Sequence, residues 1–186
     1  GISAKVYKDN LLGVRAIVFP ESAHATDLGN SYNINSGLIT LTTAGESGIL
    51  YYKNNDNRNI HIDSIVAILA PSTGGVVTDT TQVRVYSNPT TGTLISGAVN
   101  ADTVQNRNLG DPSTLDALTY KGATGNTITD GTVVVESLVS PGNRVAFNID
   151  LTIPKGKSVA ISFEPNDSNT NMKCMAALVL HIEADV

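Results

Sequence analysis

The chain has 186 residues, with 12 basic and 17 acidic side chains, one cysteine and no tryptophan. A net charge of −5 without a basic run argues against nucleic acid as a partner, since phosphate-backbone binding needs clustered Lys and Arg. No apolar stretch approaches the roughly 20 residues of a membrane helix, and no signal peptide or myristoylation signal is expected at Gly1–Lys5. Cys174 alone cannot close an internal disulfide, and a domain of this length buries roughly 70% of its unfolded surface without such a staple.

Along the chain, Val14–Phe19 fits a strand stopped by Pro20, and Glu21–Asn30, which has no clear period, fits an extended arm or loop. From Ser31 the pattern is β: Tyr32 and Ile34, then Leu38–Thr43, then Ile49–Lys53, closed by a turn at Asn54-Asn55-Asp56-Asn57. Ile60–Leu69 is apolar on both faces after Ile65, which predicts a covered central strand. Pro71–Asp79 reads as a loop and Gln82–Tyr86 as a strand, with a turn signature running to Gly92 and a short strand at Leu94-Ile95. Asn100–Ser113 is a polar surface excursion, followed by strands at Leu118–Lys121, Thr127–Thr129 and Val133–Leu138.

The clearest periodicity is at Val145, Phe147, Ile149, Leu151 and Ile153, which alternate with Arg144, Ala146, Asn148, Asp150 and Thr152. A period of two means one face in a core and one toward water. Pro154-Lys155-Gly156-Lys157 turns the chain, and Val159, Ile161 and Phe163 resume the alternation, which predicts a hairpin. The fold class expected is all-β: an antiparallel β-sandwich, jelly-roll-like, with an irregular N-terminal arm. Residues 1–30 would be the arm or edge-strand region and 31–186 the single sandwich domain.

The last strand, Met172–Glu183, is apolar on both faces. Cys174, Ala176, Leu178, Leu180 and Ile182 share one, and Met175, Ala177 and Val179 the other. Two readings fit: a central strand of the core, or a subunit interface formed by Met175, Ala177 and Val179.

Catalytic chemistry has little support in the sequence. His61 and Asp63 share one strand face and His181 and Glu183 another, two ligands each, so a composite metal site requires the two strands to be neighbours. Half-solvated polar positions account for both pairs, so no metal and no cofactor is expected. The loops Asn54–Asn57 and Asn166–Asn169 lack the spaced acidic ligands of a calcium loop. Gly45-Glu46-Ser47-Gly48 is not a nucleophile elbow, and no helix follows Gly74-Gly75 or Gly122–Gly131 to cradle phosphate. Cys174 lies in an apolar run and reads as a buried, inert thiol. Asn, Ser and Thr number 18, 15 and 20 against 16% charged residues, a composition associated with virion and adhesive surfaces.

Several segments, taken in order, carry a family resemblance. Tyr32-Asn33-Ile34 leads through Leu38–Leu41 to Gly48-Ile49-Leu50-Tyr51-Tyr52-Lys53-Asn54. Val85–Thr93, Asn106–Gly110, Tyr120–Gly125 and Ile153–Ser158 follow. This order resembles β-rich structural proteins of tailed bacteriophages, of the head decoration or cement type, over roughly residues 31–183. The resemblance implies a non-enzymatic subunit, folded in the host cytoplasm. It implies a homotrimer on the capsid surface, with the major capsid protein of the same virion as partner. The competing reading is a glycan- or receptor-binding module on a virion or cell surface, with Tyr51-Tyr52 offering one ring on each strand face. A hydrolase built around His61 and Asp63 is the third.

Overall fold

The computed structural model describes residues 2–6, 12–16, 21–42, 45–71, 80–97, 99–100, 104–166 and 172–182. In chain order the first elements are β1 (Ile2–Val6), β2 (Leu12–Ala16), α1 (Glu21–Asp27), β3 (Ser31–Asn35), β4 (Ile39–Leu41) and β5 (Ser47–Asn54). Next come β6 (Ile60–Pro71), β7 (Thr81–Ser87), α2 (Thr93–Ser96), β8 (Val99–Asn100), β9 (Gln105–Asn106) and β10 (Ala117–Lys121). The last are β11 (Thr132–Val139), β12 (Arg144–Phe147), β13 (Leu151–Ile153), β14 (Ser158–Pro165) and β15 (Met172–Ile182).

Two antiparallel sheets face each other. One is ordered β11-β7-β14-β5-β10-β8, the other β12-β6-β15-β3-β9, with β13 also pairing β6 and β4 also pairing β15. Hence the chain changes sheet between β4 and β5, β5 and β6, β6 and β7, β8 and β9, β9 and β10, β11 and β12, β13 and β14, and β14 and β15. That is the wiring of the jelly-roll-like sandwich expected from the sequence. One continuous core lies between the sheets. Leu50, Tyr52, Val83, Val85, Ile161 and Phe163 come from one side, and Ile34, Ile62, Ile65, Leu69, Leu178 and Leu180 from the other. Each fully buried side chain of this size stabilises the fold by roughly 1.5–3 kcal/mol.

The expected 145–163 hairpin is corrected. Its faces are right, because Val145, Phe147, Ile149, Leu151 and Ile153 all pack on the core. Its partners are not: β12 and β13 pair with β6, whereas β14 pairs with β5 and β7 in the opposite sheet. Residues 154–157 are a corner between sheets. Asn54 holds that corner. Its buried side chain donates to the carbonyls of Arg58 and Ile153, both at 2.9 Å, and its own carbonyl accepts from Gly156 N–H at 2.7 Å. Gly156 sits at φ 78°, a conformation open to glycine at little cost.

Asp56, in the adjoining turn, accepts from Arg58 Nε and Nη2, each at 2.9 Å. These bonds, helped by the Arg58 backbone N–H, bring its carboxyl down to about 2. A carboxyl lowered on folding contributes stability above its unfolded value, about 4, that is lost as pH falls toward 2. Asp56→Asn should therefore melt below the wild type at pH 7, with the gap closing by pH 2. The gap should be small, because Arg58 is 44% exposed. An equal gap in circular-dichroism melts at both pH values would refute this assignment.

Other expectations also change. Glu21–Asp27 is helical rather than extended, and α1 packs against β3 and β15. Leu94 and Ile95 belong to the short helix α2, and residues 127–129 form no strand. The first strand expected at 14–19 is β2, paired with β1 in a two-stranded sheet of their own, with residues 17–20 outside the described set. Of the loop expected at Pro71–Asp79, Pro71 ends β6 and residues 72–79 lie outside the described set, as do residues 101–103 of the polar excursion, residues 167–169 of the Asn166–Asn169 loop, Thr43 and Glu183.

Candidate functional site

The two outer faces of the sandwich differ. On the six-stranded sheet, Tyr51 and Ala160 are buried outside the main core. They are covered by Leu94 of α2, which is fully buried, and by the half-buried Ile128. Tyr51 and Tyr120 stack there at 5.8 Å. Tyr52 faces the main core and is also fully buried. The Tyr51-Tyr52 pair does straddle the sheet as expected, but neither ring is left on the surface for a sugar.

Beside this patch lies a polar network that sequence reasoning missed. Arg84 on β7 bonds Glu136 of β11 at 2.8 Å and Glu164 of β14 at 2.5 Å, and stands 3.3 Å from Glu46. Gln82 bonds both Arg84 and Glu136. These hydrogen bonds, Glu136's first, raise the Arg84 guanidinium further above its ordinary value. Tyr86 donates to Glu46 at 2.6 Å; burial first, then this bond, pushes its hydroxyl up to about 12. The partners come from three strands and the segment before β5. No local motif joins them, and only the strand register brings them side by side.

The outer face of the seven-stranded sheet carries the residues singled out on the last strand. β15 lies between β6 and β3, with Met175, Ala177 and Val179 opposite Ile68, Val66 and Ser64. Cys174, Ala176, Leu178, Leu180 and Ile182 are buried, while Met175, Ala177 and Val179 are half-buried on the outside. The core reading therefore holds for the first set only. Val66 and Ile68 extend the apolar stripe onto β6, so the covered central strand expected there is buried on one face and half-exposed on the other. Exposed polar positions border the stripe: Arg144 of β12 lies opposite Ile68, and Asn33 and Asn35 of β3 lie opposite Val179 and Ala177.

The histidine pairs converge at one end of this stripe. His61 and His181 are register partners, so the condition for a composite site is met. His181 Nδ1 lies 2.7 Å from Asp63 Oδ1, and His61 Nδ1 lies 3.3 Å from Thr152 Oγ1. The rings stack face to face, 5.0 Å apart and 15° from parallel. An imidazole binds a metal in its own plane, and two nearly parallel stacked planes do not meet at one ion. Among the described residues no group of three His, Cys, Asp or Glu side chains is placed to hold one.

Two modest clefts lie among the described residues. One of about 260 Å³ opens between the sheets at the Pro154 corner, against Leu151, Ile153 and Val159, with Lys157 the single charged lining residue. Another of about 310 Å³ lies over the 104–114 segment.

No protein-family description and no curated protein matches the chain. Solved structures match it distantly. A chain from Bacillus endospore appendages, described as a novel family of disulfide-linked pili, is 14% identical. The match covers 83% of this chain and 88% of that one, with a TM-score of 0.39. The Yersinia pseudotuberculosis-derived mitogen is 12% identical over 84% of this chain and 89% of its own, with a TM-score of 0.36. A tomato aspermy virus chain is 12% identical over 85% and 80%, with a TM-score of 0.32. Likeness at this level assigns no function.

Proposed function

We propose that the chain is a non-enzymatic virion structural subunit that decorates and cements a capsid surface as a symmetric oligomer. The observation that carries this reading is the apolar stripe of Met175, Ala177, Val179, Val66 and Ile68 on the outer face of one sheet. The middle of the opposite outer face is covered by its own α2 and charged network. A stripe two strands wide with a polar border suits a contact between copies, and closed symmetry repeats that contact at no extra cost in sequence. Multivalent attachment then strengthens binding to a lattice of identical capsid sites. The resemblance to phage head decoration proteins supports the major capsid protein as partner and a trimer as the oligomer.

At low protein concentration, light scattering after gel filtration should give a trimer mass, and Val179→Asp should abolish that trimer while the circular-dichroism spectrum is kept. Antibody against the chain should label the outside of virions from its source in immunogold micrographs. A wild-type monomer together with unlabelled particles would overturn the proposal. The glycan-binding alternative has no exposed aromatic platform at Tyr51-Tyr52 to support it, and a negative glycan array is the expected result.

A further inference from the structure

We propose that β11 is a second self-association element: two copies pair their β11 strands antiparallel about a two-fold axis at Glu136, joining two six-stranded sheets. β11 ends its sheet, and among the described residues it pairs on one side only, with β7. It is eight residues long and ends in exposed apolar groups, with Val133 and Val134 each 41% and Leu138 62% exposed. A long apolar edge strand is a template for another strand, and soluble monomers normally blunt it with Lys, Pro or an unpaired charge. Thr132–Val139 contains neither Lys nor Pro. Its one charge, Glu136, is already engaged by Arg84 and Gln82 of its own chain. The register shift between Val133 and Val135, where Val134 has no partner on β7, is a mild blunting device near the start of the strand.

The occupant follows from the spacing of the exposed groups. Val134, Glu136 and Leu138 occupy the outer face, while Val135 and Val139 pack inward on the core. Antiparallel pairing centred on Glu136 sets Val134 of one copy opposite Leu138 of the other, twice. A segment that complements itself in this way fits a second copy of the same strand. The centre of the row is Arg84–Glu136 meeting Glu136–Arg84, in which the two carboxylates face each other and each arginine offsets its own. This contact is separate from the Met175–Val179 stripe and does not depend on it.

Val134→Lys and Leu138→Lys change exposed positions, so both should fold normally. Each should weaken association at least tenfold in concentration-dependent sedimentation. Glu136→Gln removes the facing carboxylates and should tighten it roughly two- to fivefold, the scale of a cross-strand like-charge pair. Oxidative cross-linking tests the register: Val134→Cys mixed with Leu138→Cys should form a disulfide between copies, and neither alone should. Cys174 stays silent because burial pushes its thiol up to about 12. The inference is overturned if the mixture does not cross-link beyond the single variants, or if both lysine variants associate like the wild type. If those lysine variants associate normally and Val179→Asp does not, the edge pairing falls and the outer-face contact stands. The reverse pattern removes the outer-face contact and keeps the edge. A wild type that is monomeric at high concentration removes both.

Discussion

Leu178→Asp should leave no folded protein, whereas Val179→Asp, one residue on, should fold. Leu178 is 1% exposed and lies between Ile65 of β6 and Ile34 of β3, both in the main core. An unpaired carboxylate there costs several kcal/mol, comparable to the whole margin of roughly 5–15 kcal/mol that keeps a domain folded. Val179 is half-buried on the outer face, opposite Ser64 and Asn33, where water reaches a carboxylate. Its substitution should cost within about 1 kcal/mol of monomer stability. Urea titrations followed by circular dichroism separate the two. Two unfolded variants would mean that the outer face is covered within a single subunit, and the proposed contact between copies would lose its basis.

That contrast marks what the sequence made legible. Period-two alternation shows which side of a strand meets a core, and the inward residues of β3, β7 and β15 follow it closely, whereas β14 is buried on both faces over residues 158–163. It does not show which strand lies alongside. Pro154–Lys157 has the composition of a hairpin turn, yet it is a corner between two sheets, because a glycine at positive φ serves either. The contacts that decide between them, from Asn54 to Ile153 and Gly156, run between residues about 100 apart in sequence. The helices α1 and α2 are seven and four residues long, too short for a helical period to emerge from the apolar pattern.

The candidate site was legible in part for the same reason. Met175, Ala177 and Val179 stood out because a strand apolar on both faces needs two covers. The core supplies one of them, and the other outer face remains apolar. The Arg84 network had no signal at all: its three glutamates lie 38 to 80 residues from the arginine in sequence and meet it only through register. The His61–His181 cluster was visible as two pairs, but the ring stacking that separates their chemistry is a matter of orientation, which spacing does not encode.

Gly122→Ala should destabilise the protein by about 3 kcal/mol or more, beyond the usual cost of overpacking a core site. A Cβ on Gly122 would stand 1.7 Å from the Gly48 carbonyl oxygen, and backbone has no rotamer with which to give way. The two segments are also tied together: Gly122 N–H donates to the Ile49 carbonyl at 2.8 Å, and Gly48 N–H donates to that of Asn126 at 2.7 Å. The clash therefore displaces the segment that carries Ile128 over Tyr51 and Leu94. Gly48→Ala is the milder comparison, because its Cβ would meet side chains rather than backbone, Leu94 Cδ2 at 2.8 Å and Leu94 Cβ and Ile128 Cγ1 at 3.2 Å. For a chain of this size the Gly122 variant should melt about 6–12 °C lower, and the Gly48 variant by less. Because the chain has no tryptophan, its fluorescence comes from six tyrosines, and exposure of the stacked Tyr51 and Tyr120 should change that signal. Equal melting of the two variants would show that the 122–128 segment does not hold this second cluster closed.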